Sequence, residues 1–381
     1  MKILLVIDTY NTNNNGTSIS AQRFAGQLRQ NGHTVKILTQ GESSDEIFGL
    51  KELKIPMLNN LIHSHGFQFA EPERKVIREA VAWADIVHCM MPFALSAVTK
   101  QICDELGKPA TAAFHIQPEN MTSSVGLGKV KWINDLFYRN FHFFVYNHFT
   151  HIHVPSRFMG DEIAKRGYKA KIHVISNGIQ SDFVYTKRPK KPEYQGKILI
   201  MMVGRLAGEK RQDVIINAVP YSKYADKIQL MFAGHGPKYE EYVKLGEKLP
   251  NKPKFEYFTK EELIDALAQC DLYVHASDME SEAISCIEAF ATGLVPVIAN
   301  SIVSATPQFA LDGRSLFLPG NPKDLARAID YWLDNPEEKE IMEHKYAESA
   351  KKYSLEKSVR MFEEMFQEEL EEFYGPQQVG N

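Results

Sequence analysis

Two carboxylates eight residues apart, Glu280 and Glu288, lie in the run 278–290, with Glu282 beside the first and an apolar stretch at 272–275 just ahead. If a helix opens near Ala283, Glu280 sits in the loop before it and Glu288 one to two turns along it, so one segment offers hydroxyl acceptors at two points. The backbone at Ala283, Ile284 and Ser285 would then face an anion, because the first N–H groups of a helix have no partner inside it. Basic side chains come earlier. The apolar run 198–203 leads into Gly204-Arg205-Leu206 and Gly208-Glu209-Lys210-Arg211, which delivers Arg205 and Lys210 to the carboxyl edge of a parallel sheet, where a diphosphate would fit. Read alone, Arg205 and Lys210 are equally well ordinary exposed charges. The glutamates could likewise decorate a helix whose apolar face is Ile284, Ile287 and Phe290.

Other motifs narrow the chemistry. Asn15-Gly16-Thr17-Ser18 follows the first apolar run, and Gly16 would let a backbone approach a phosphate, or would simply make a turn. No G-x-G-x-x-G follows that run, and Gly234-His235-Gly236-Pro237 is a different motif, which counts against a hydride-transferring dehydrogenase. No Asp-x-Asp pair occurs, so nothing suggests the metal site that such a pair would make. Cys89, Cys103, Cys270 and Cys286 show no C-x-x-C spacing and read as buried thiols. The stretch 129–149 holds eight aromatics from Trp132 to Phe149, including Phe137 and Tyr138, with Lys129, Lys131 and Arg139 among them. Aromatic and basic residues combine in this way in segments that lie on a bilayer, and core packing accounts for aromatics equally well.

These groups need a scaffold, and 381 residues with 44% hydrophobic content suffice for two cores. Short apolar stretches alternate with amphipathic ones, the pattern of parallel sheets covered by helices. Strands are predicted at 3–8, 34–39, 86–89, 110–115, 151–155 and 172–175, and again at 198–203, 228–233, 254–257, 272–275, 295–299 and 315–318. The polar, proline-punctuated stretch between them gives an N-terminal domain at 1–187, a linker at 188–196 and a C-terminal domain at 197–353. An acidic helix over 354–374, with Leu355, Val359, Phe362, Phe366 and Leu370 near helical spacing, should pack one face on the body. Residues 1–195 carry 23 Lys and Arg against 17 Asp and Glu, whereas 196–381 carry 21 against 31; an anionic partner for the first half accounts for this, and ordinary solvated surface charge accounts for it equally well. No apolar run approaches the roughly 20 residues of a membrane span, and the first eight residues read as a buried strand rather than a signal peptide.

The motifs Gly204-Arg205-Leu206 with Glu209-Lys210, Gly234-His235-Gly236-Pro237, and Glu280 followed by Glu288-Ala289-Phe290-Ala291-Thr292-Gly293 resemble the retaining glycosyltransferases of family 4. Ile175-Ser176-Asn177-Gly178-Ile179 extends the match along nearly the whole chain. The resemblance implies an α/β fold of the GT-B type, two Rossmann-like domains with parallel sheets facing across a cleft. It implies that Arg205 and Lys210 hold a donor diphosphate, Glu280 the transferred hexose and Glu288 the ribose, with Gly16, Gly234 and 282–285 also at the donor. His115, at the end of a strand, matches the active-site histidine. Where the family has Gly-Phe-Gly, this chain has Ser281-Glu282-Ala283, which makes Glu282 a second candidate for the sugar. His115-Ile116-Gln117-Pro118-Glu119-Asn120 and 304–312 resemble bacterial members that glycosylate diacylglycerol or ceramide.

The expectation is therefore metal-independent transfer of a hexose, glucose or galactose, from a nucleotide sugar such as UDP-hexose, with no cofactor and no nucleic-acid partner. The acceptor is a membrane lipid, and the protein sits peripherally on an anionic inner face of the cell membrane. A soluble or polysaccharide acceptor is the alternative, and a sugar-nucleotide epimerase, which shares the fold, a more distant one.

Overall fold

A computed structural model describes residues 1–12, 16–54, 68–123 and 126–375; Asn15 of the first glycine turn lies outside them. The chain divides into two compact units, the first made of Met1–Thr122, Gly128–Gly178 and Leu355–Asn381, the second of Ser123–Leu127 and Ile179–Ser354.

Unit 1 is built on strands β1 (Lys2–Val6), β2 (Thr34–Gln40), β3 (Ile47–Leu50), β4 (Ile86–Cys89), β5 (Ala110–Ala113), β6 (His151–Val154) and β7 (Lys171–Val174). All are parallel, in the order β3-β2-β1-β4-β5-β6-β7. Side chains alternate across a strand, so Leu4 and Val6 enter one core with Phe114 and Tyr138, while Ile3, Leu5 and Ile7 enter another with Phe24 and Leu28. Burial on both faces is why β1 reads as one continuous apolar run. The helix Leu355–Tyr374 closes the second face, inserting Val359, Phe362, Phe366 and Leu370, with Phe362 stacked on Phe24 at 5.0 Å. Strand β3 was not predicted. It is a four-residue edge strand containing Gly49, too short for a periodic signal.

Unit 2 carries β8 (Ile198–Val203), β9 (Ile228–Ala233), β10 (Lys254–Glu256), β11 (Leu272–His275), β12 (Pro296–Ala299) and β13 (Leu316–Phe317), again parallel, in the order β10-β9-β8-β11-β12-β13. Both sheets are therefore doubly wound, and strand order reverses between β1 and β4 in the first and between β8 and β11 in the second. Outside the carboxyl ends of such strand pairs, open sheets form their ligand crevices.

Residues 188–196, expected as the linker, lie within unit 2. Lys190 Nζ donates to Asp271 at 2.6 Å, the Arg188 N–H donates to the Ala268 carbonyl at 2.9 Å, and Tyr194 is buried. A proline-rich polar stretch marks where regular structure stops, but not which core its contacts join.

Candidate functional site

In unit 2 the loops leaving β8 and β9 are laced together at the sheet's carboxyl edge. The Gly204 N–H donates to the Ala233 carbonyl at 2.9 Å and the Leu206 N–H to the His235 carbonyl at 3.1 Å. Gly234, at φ 144°, makes that approach possible: a Cβ there would lie 2.3 Å from the Gly204 carbonyl oxygen. The laced backbone sets Arg205, whose carbonyl accepts from Gln212 Nε2 at 3.0 Å and whose guanidinium pairs with Glu209 at 2.8 Å.

Lys210 reaches Glu280, a residue of the loop after β11, with Nζ 2.5 Å from Oε1. The same oxygen lies 3.0 Å from His275 Nε2 at the end of β11. Burial opposes ionisation of Glu280, but the Lys210 ammonium and the His275 contact override it and hold the carboxyl well below the usual range. Two residues predicted to serve the diphosphate and the hexose thus touch across the point where strand order reverses. Lys210 must exchange partners if it is to hold a phosphate.

The loop is anchored further along. Glu280 pairs with Ser304 as an isolated parallel bridge, and its carbonyl accepts from the Ala305 N–H at 2.8 Å. The expected helix runs over Ile284–Ala291 and is preceded by Ala283 at φ 76°, ψ 69°, a left-handed conformation that glycine adopts without strain. Ser285 Oγ donates to the Val203 carbonyl at 3.1 Å, so that hydroxyl ties the helix start to β8. Glu282 and Glu288 are both buried, Glu288 at the fifth position of the helix. Residues the sequence reading passed over complete the edge: His275, Tyr273, and the ion pair of Arg211 with Asp278 at 3.2 Å. A histidine closing a buried strand five residues before Glu280 was the available signal.

In unit 1, His115 follows β5 by two residues, is buried, and packs edge-on against His153 with ring centroids 4.8 Å apart. Its Nε2 has no hydrogen-bond partner among the described residues. Burial, then His153, lowers its pKa well below the ordinary histidine value, so the ring is neutral near pH 7. Asp8, two residues past β1, is also buried, which pushes its carboxyl up to about 7 against the Ala70 N–H at 3.2 Å. Gly16 opens the helix Gly16–Gln30, and a Cβ there would meet nothing within 4 Å.

The aromatic stretch divides between the two readings given to it. The helix Lys131–Phe144 exposes Trp132 at 70%, Phe143 at 66% and Phe144 at 62%. Trp132, Leu136, Arg139 and Phe143 form one outward stripe at helical spacing, and Lys129 and Lys131 are exposed beside it. Tyr138, expected at the membrane or acceptor, turns inward instead: it is 1% exposed, its hydroxyl donates to Glu119 at 3.1 Å, and its ring stacks on Phe114. Phe137 is half-buried against the same core. No helix among the described residues is long and apolar enough to cross a membrane. Among the described residues, one His/Glu trio is near enough to share a cation: His151, His173 and Glu368 of unit 1, whereas the carboxylates of the predicted donor loop belong to unit 2.

The first half of the chain matches the family described as Glycosyltransferase Family 4 over residues 14–183, and the second half that described as Glycosyl transferases group 1 over residues 184–353. A GDP-mannose-dependent alpha-mannosyltransferase of Corynebacterium glutamicum is 26% identical, over 78% of this chain and 72% of the relative. An alpha-monoglucosyldiacylglycerol synthase of Streptococcus pneumoniae is 22% identical over 79% and 71%. The catalytic domain of a cholesterol-alpha-glucosyltransferase from Helicobacter pylori is 51% identical over 41% of this chain and 99% of that one, with a TM-score of 0.40. Anabaena Alr3699/HepE, solved with UDP-glucose, has the same fold: TM-score 0.74 at 15% identity, covering 97% of this chain and all of that one.

Proposed function

From the premise that this chain belongs to the family 4, group 1 glycosyltransferases and uses a nucleotide sugar, we propose that it moves a hexose from UDP to a membrane lipid with retention of configuration. Unit 2 holds the donor, and unit 1 supplies the lipid-facing surface. The observation that carries the reading is the contact of Lys210 with Glu280 at the strand-order reversal, because it gathers a cation for a diphosphate and an ionised carboxylate for sugar hydroxyls.

In the proposed step the lipid hydroxyl oxygen bonds to the anomeric carbon on the face that the diphosphate leaves. The carbon–oxygen bond to the diphosphate breaks, and the departing phosphate oxygen takes the hydroxyl proton. Arg205 and Lys210 offset the charge that grows on the diphosphate, Glu288 holds the ribose and Glu280 orients the sugar, while neutral His115 keeps the active-site role that the family resemblance implies for it. No enzyme carboxylate bonds to it, and no metal is needed where two basic side chains meet the phosphates. The outward stripe of Trp132, Leu136, Arg139 and Phe143, beside Lys129 and Lys131, suits an anionic leaflet holding diacylglycerol or ceramide, and the pneumococcal relative's name supports a glucosyl lipid.

A screen of UDP- and GDP-sugars against lipid extract and soluble glycans, read by mass spectrometry, tests the reading. The expected product is an α-glycolipid, formed undiminished in EDTA, with the anomeric configuration read by proton NMR. A β-linked sugar from an α-linked donor overturns retention, and product on soluble glycans alone overturns the lipid acceptor.

A further inference from the structure

Glu280 makes two contacts through a single oxygen. Oε1 lies 2.5 Å from Lys210 Nζ and 3.0 Å from His275 Nε2. The Lys210 contact is the one a diphosphate would compete for. Without it, a carboxylate whose side chain is 10% exposed would be left with burial opposing its charge. His275 faces no such competition: its side chain is 1% exposed, and it closes β11 inside the sheet.

The far edge of that imidazole is also held. Tyr273, two residues earlier and so on the same face of β11, places its hydroxyl 3.3 Å from His275 Nδ1 and 3.4 Å from Ser285 Oγ. Ser285 in turn donates to the Val203 carbonyl. The chain Glu280–His275–Tyr273–Ser285–Val203 therefore runs through the end of β8, the strand β11 and the start of the helix Ile284–Ala291, the three elements that meet where strand order reverses. An ionised carboxylate can only accept, so His275 Nε2 carries the hydrogen. Burial keeps the Tyr273 phenol protonated, and its one hydrogen lies within reach of three acceptors, His275 Nδ1 at 3.3 Å, Ser285 Oγ at 3.4 Å and the Val203 carbonyl at 3.5 Å; with the imidazole hydrogen on Nε2, Nδ1 is the nearest of them. The groups facing Glu280 are thus Lys210 from the loop after β8, His275 and Tyr273 from β11, and Cys286 from the helix.

We propose that His275 is a positioning residue: it grips Glu280 Oε1 through Nε2–H, with Tyr273 fixing the tautomer, so that Oε2 stays aimed at the sugar when Lys210 turns to the diphosphate. The kinetic consequence rests on the glycosyltransferase reading, whereas the tautomer does not.

The full chain is compared with His275→Phe, His275→Gln and the near-isosteric Tyr273→Phe. Calorimetry with UDP, kcat and KM for the nucleotide sugar, the pH profile of kcat, and nitrogen-15 NMR of the histidines are measured on each. His275→Phe should keep UDP affinity within about twofold and lose about ten- to hundredfold in kcat, the range of a hydrogen bond to a charged group. Its acid limb should move to higher pH, because a carboxylate that loses a donor protonates more readily. Gln, which can still donate, should restore part of the loss, and Tyr273→Phe should shift both quantities less, in the same direction. The wild-type spectrum should show the Nε2–H tautomer at His275, weakened by Tyr273→Phe. Equal losses in Phe and Gln with an unmoved acid limb, or UDP affinity falling in step with kcat, would overturn the proposal in favour of a packing role. If the wild-type chain transfers no sugar to any acceptor, the glycosyltransfer reading fails, and the tautomer still decides: an Nδ1–H form at His275 overturns the positioning role.

Discussion

At the scale of single residues, Lys210 and Arg205 make the clearest wager. Each has a carboxylate partner in place, Glu280 at 2.5 Å and Glu209 at 2.8 Å, so an arriving phosphate must exceed an existing ion pair. Charge-assisted contacts to phosphate are strong enough to do so, and replacing either residue with Ala should weaken UDP binding about ten- to hundredfold in calorimetry. Lys210→Arg should not be silent, since a planar fork cannot reproduce a point charge. Unchanged affinity in both alanine variants would remove the donor site from this edge. Ala283 supplies a second test. Its left-handed backbone costs about 1–2 kcal/mol, more than the about 0.5–1 kcal/mol of added chain entropy that glycine brings. Ala283→Gly should therefore raise Tm by about 1–3 °C in a scanning calorimeter. A fall in Tm would show that neighbouring contacts relieve the strain. Neither the Lys210–Glu280 contact nor the left-handed backbone of Ala283 could be read from residue types: the motifs named Glu280 and Lys210 separately, 70 positions apart, and only folding set them in contact.

At the scale of elements, the helix Lys131–Phe144 serves two environments at once. Tyr138 and Phe141 complete the core of unit 1, while Trp132, Leu136 and Phe143 point outward with Arg139. The sequence held both readings of these aromatics in balance because a helix facing a core and a helix lying on a bilayer show the same periodicity. Basic residues near an anionic leaflet contribute about 1 kcal/mol each, so reversing Lys129, Lys131 and Arg139 together should reduce co-sedimentation with anionic vesicles about a hundredfold or more at low salt. UDP affinity should be spared. Wild-type protein that remains in the supernatant at low salt would return the outward aromatics to another role and the acceptor question to soluble glycans.

At the scale of the whole molecule, buried histidines set the response to acid. His88, His115 and His153 are all held neutral chiefly by burial, with His153 lowered to about 4. Unfolded, each would titrate near 6.5, so below that pH the unfolded chain takes up more protons and stability falls until the folded pKa is reached. Asp8 acts the other way: raised to about 7, it binds a proton in the folded state that the unfolded chain lacks, and so favours folding as pH drops from 7 toward 4. Those three histidines and His173, also lowered to about 4, outweigh Asp8 and the raised carboxyls of Glu119 and Glu369, and urea denaturation should show stability decreasing between about pH 6.5 and pH 4. Each unbalanced proton contributes about 1.4 kcal/mol per pH unit. His153→Phe should flatten that slope, and a slope of zero in the wild type would show the histidines to be solvated.

The sequence by itself determined the alternation of strands and helices, the doubling of the parallel sheet and the family. Hydrophobic periodicity and short motifs are local, and a strand buried on both faces announces itself as an apolar run. Tertiary structure decided what depends on pairs distant along the chain. It joined Lys210 to Glu280, drew His275 and Tyr273 into a buried chain behind them, and gave the helix Leu355–Tyr374 to unit 1, where Phe362 stacks on Phe24. The physical reason is that a hydrogen bond or an ion pair depends on distance and on exclusion of water, and neither is defined until the chain has folded.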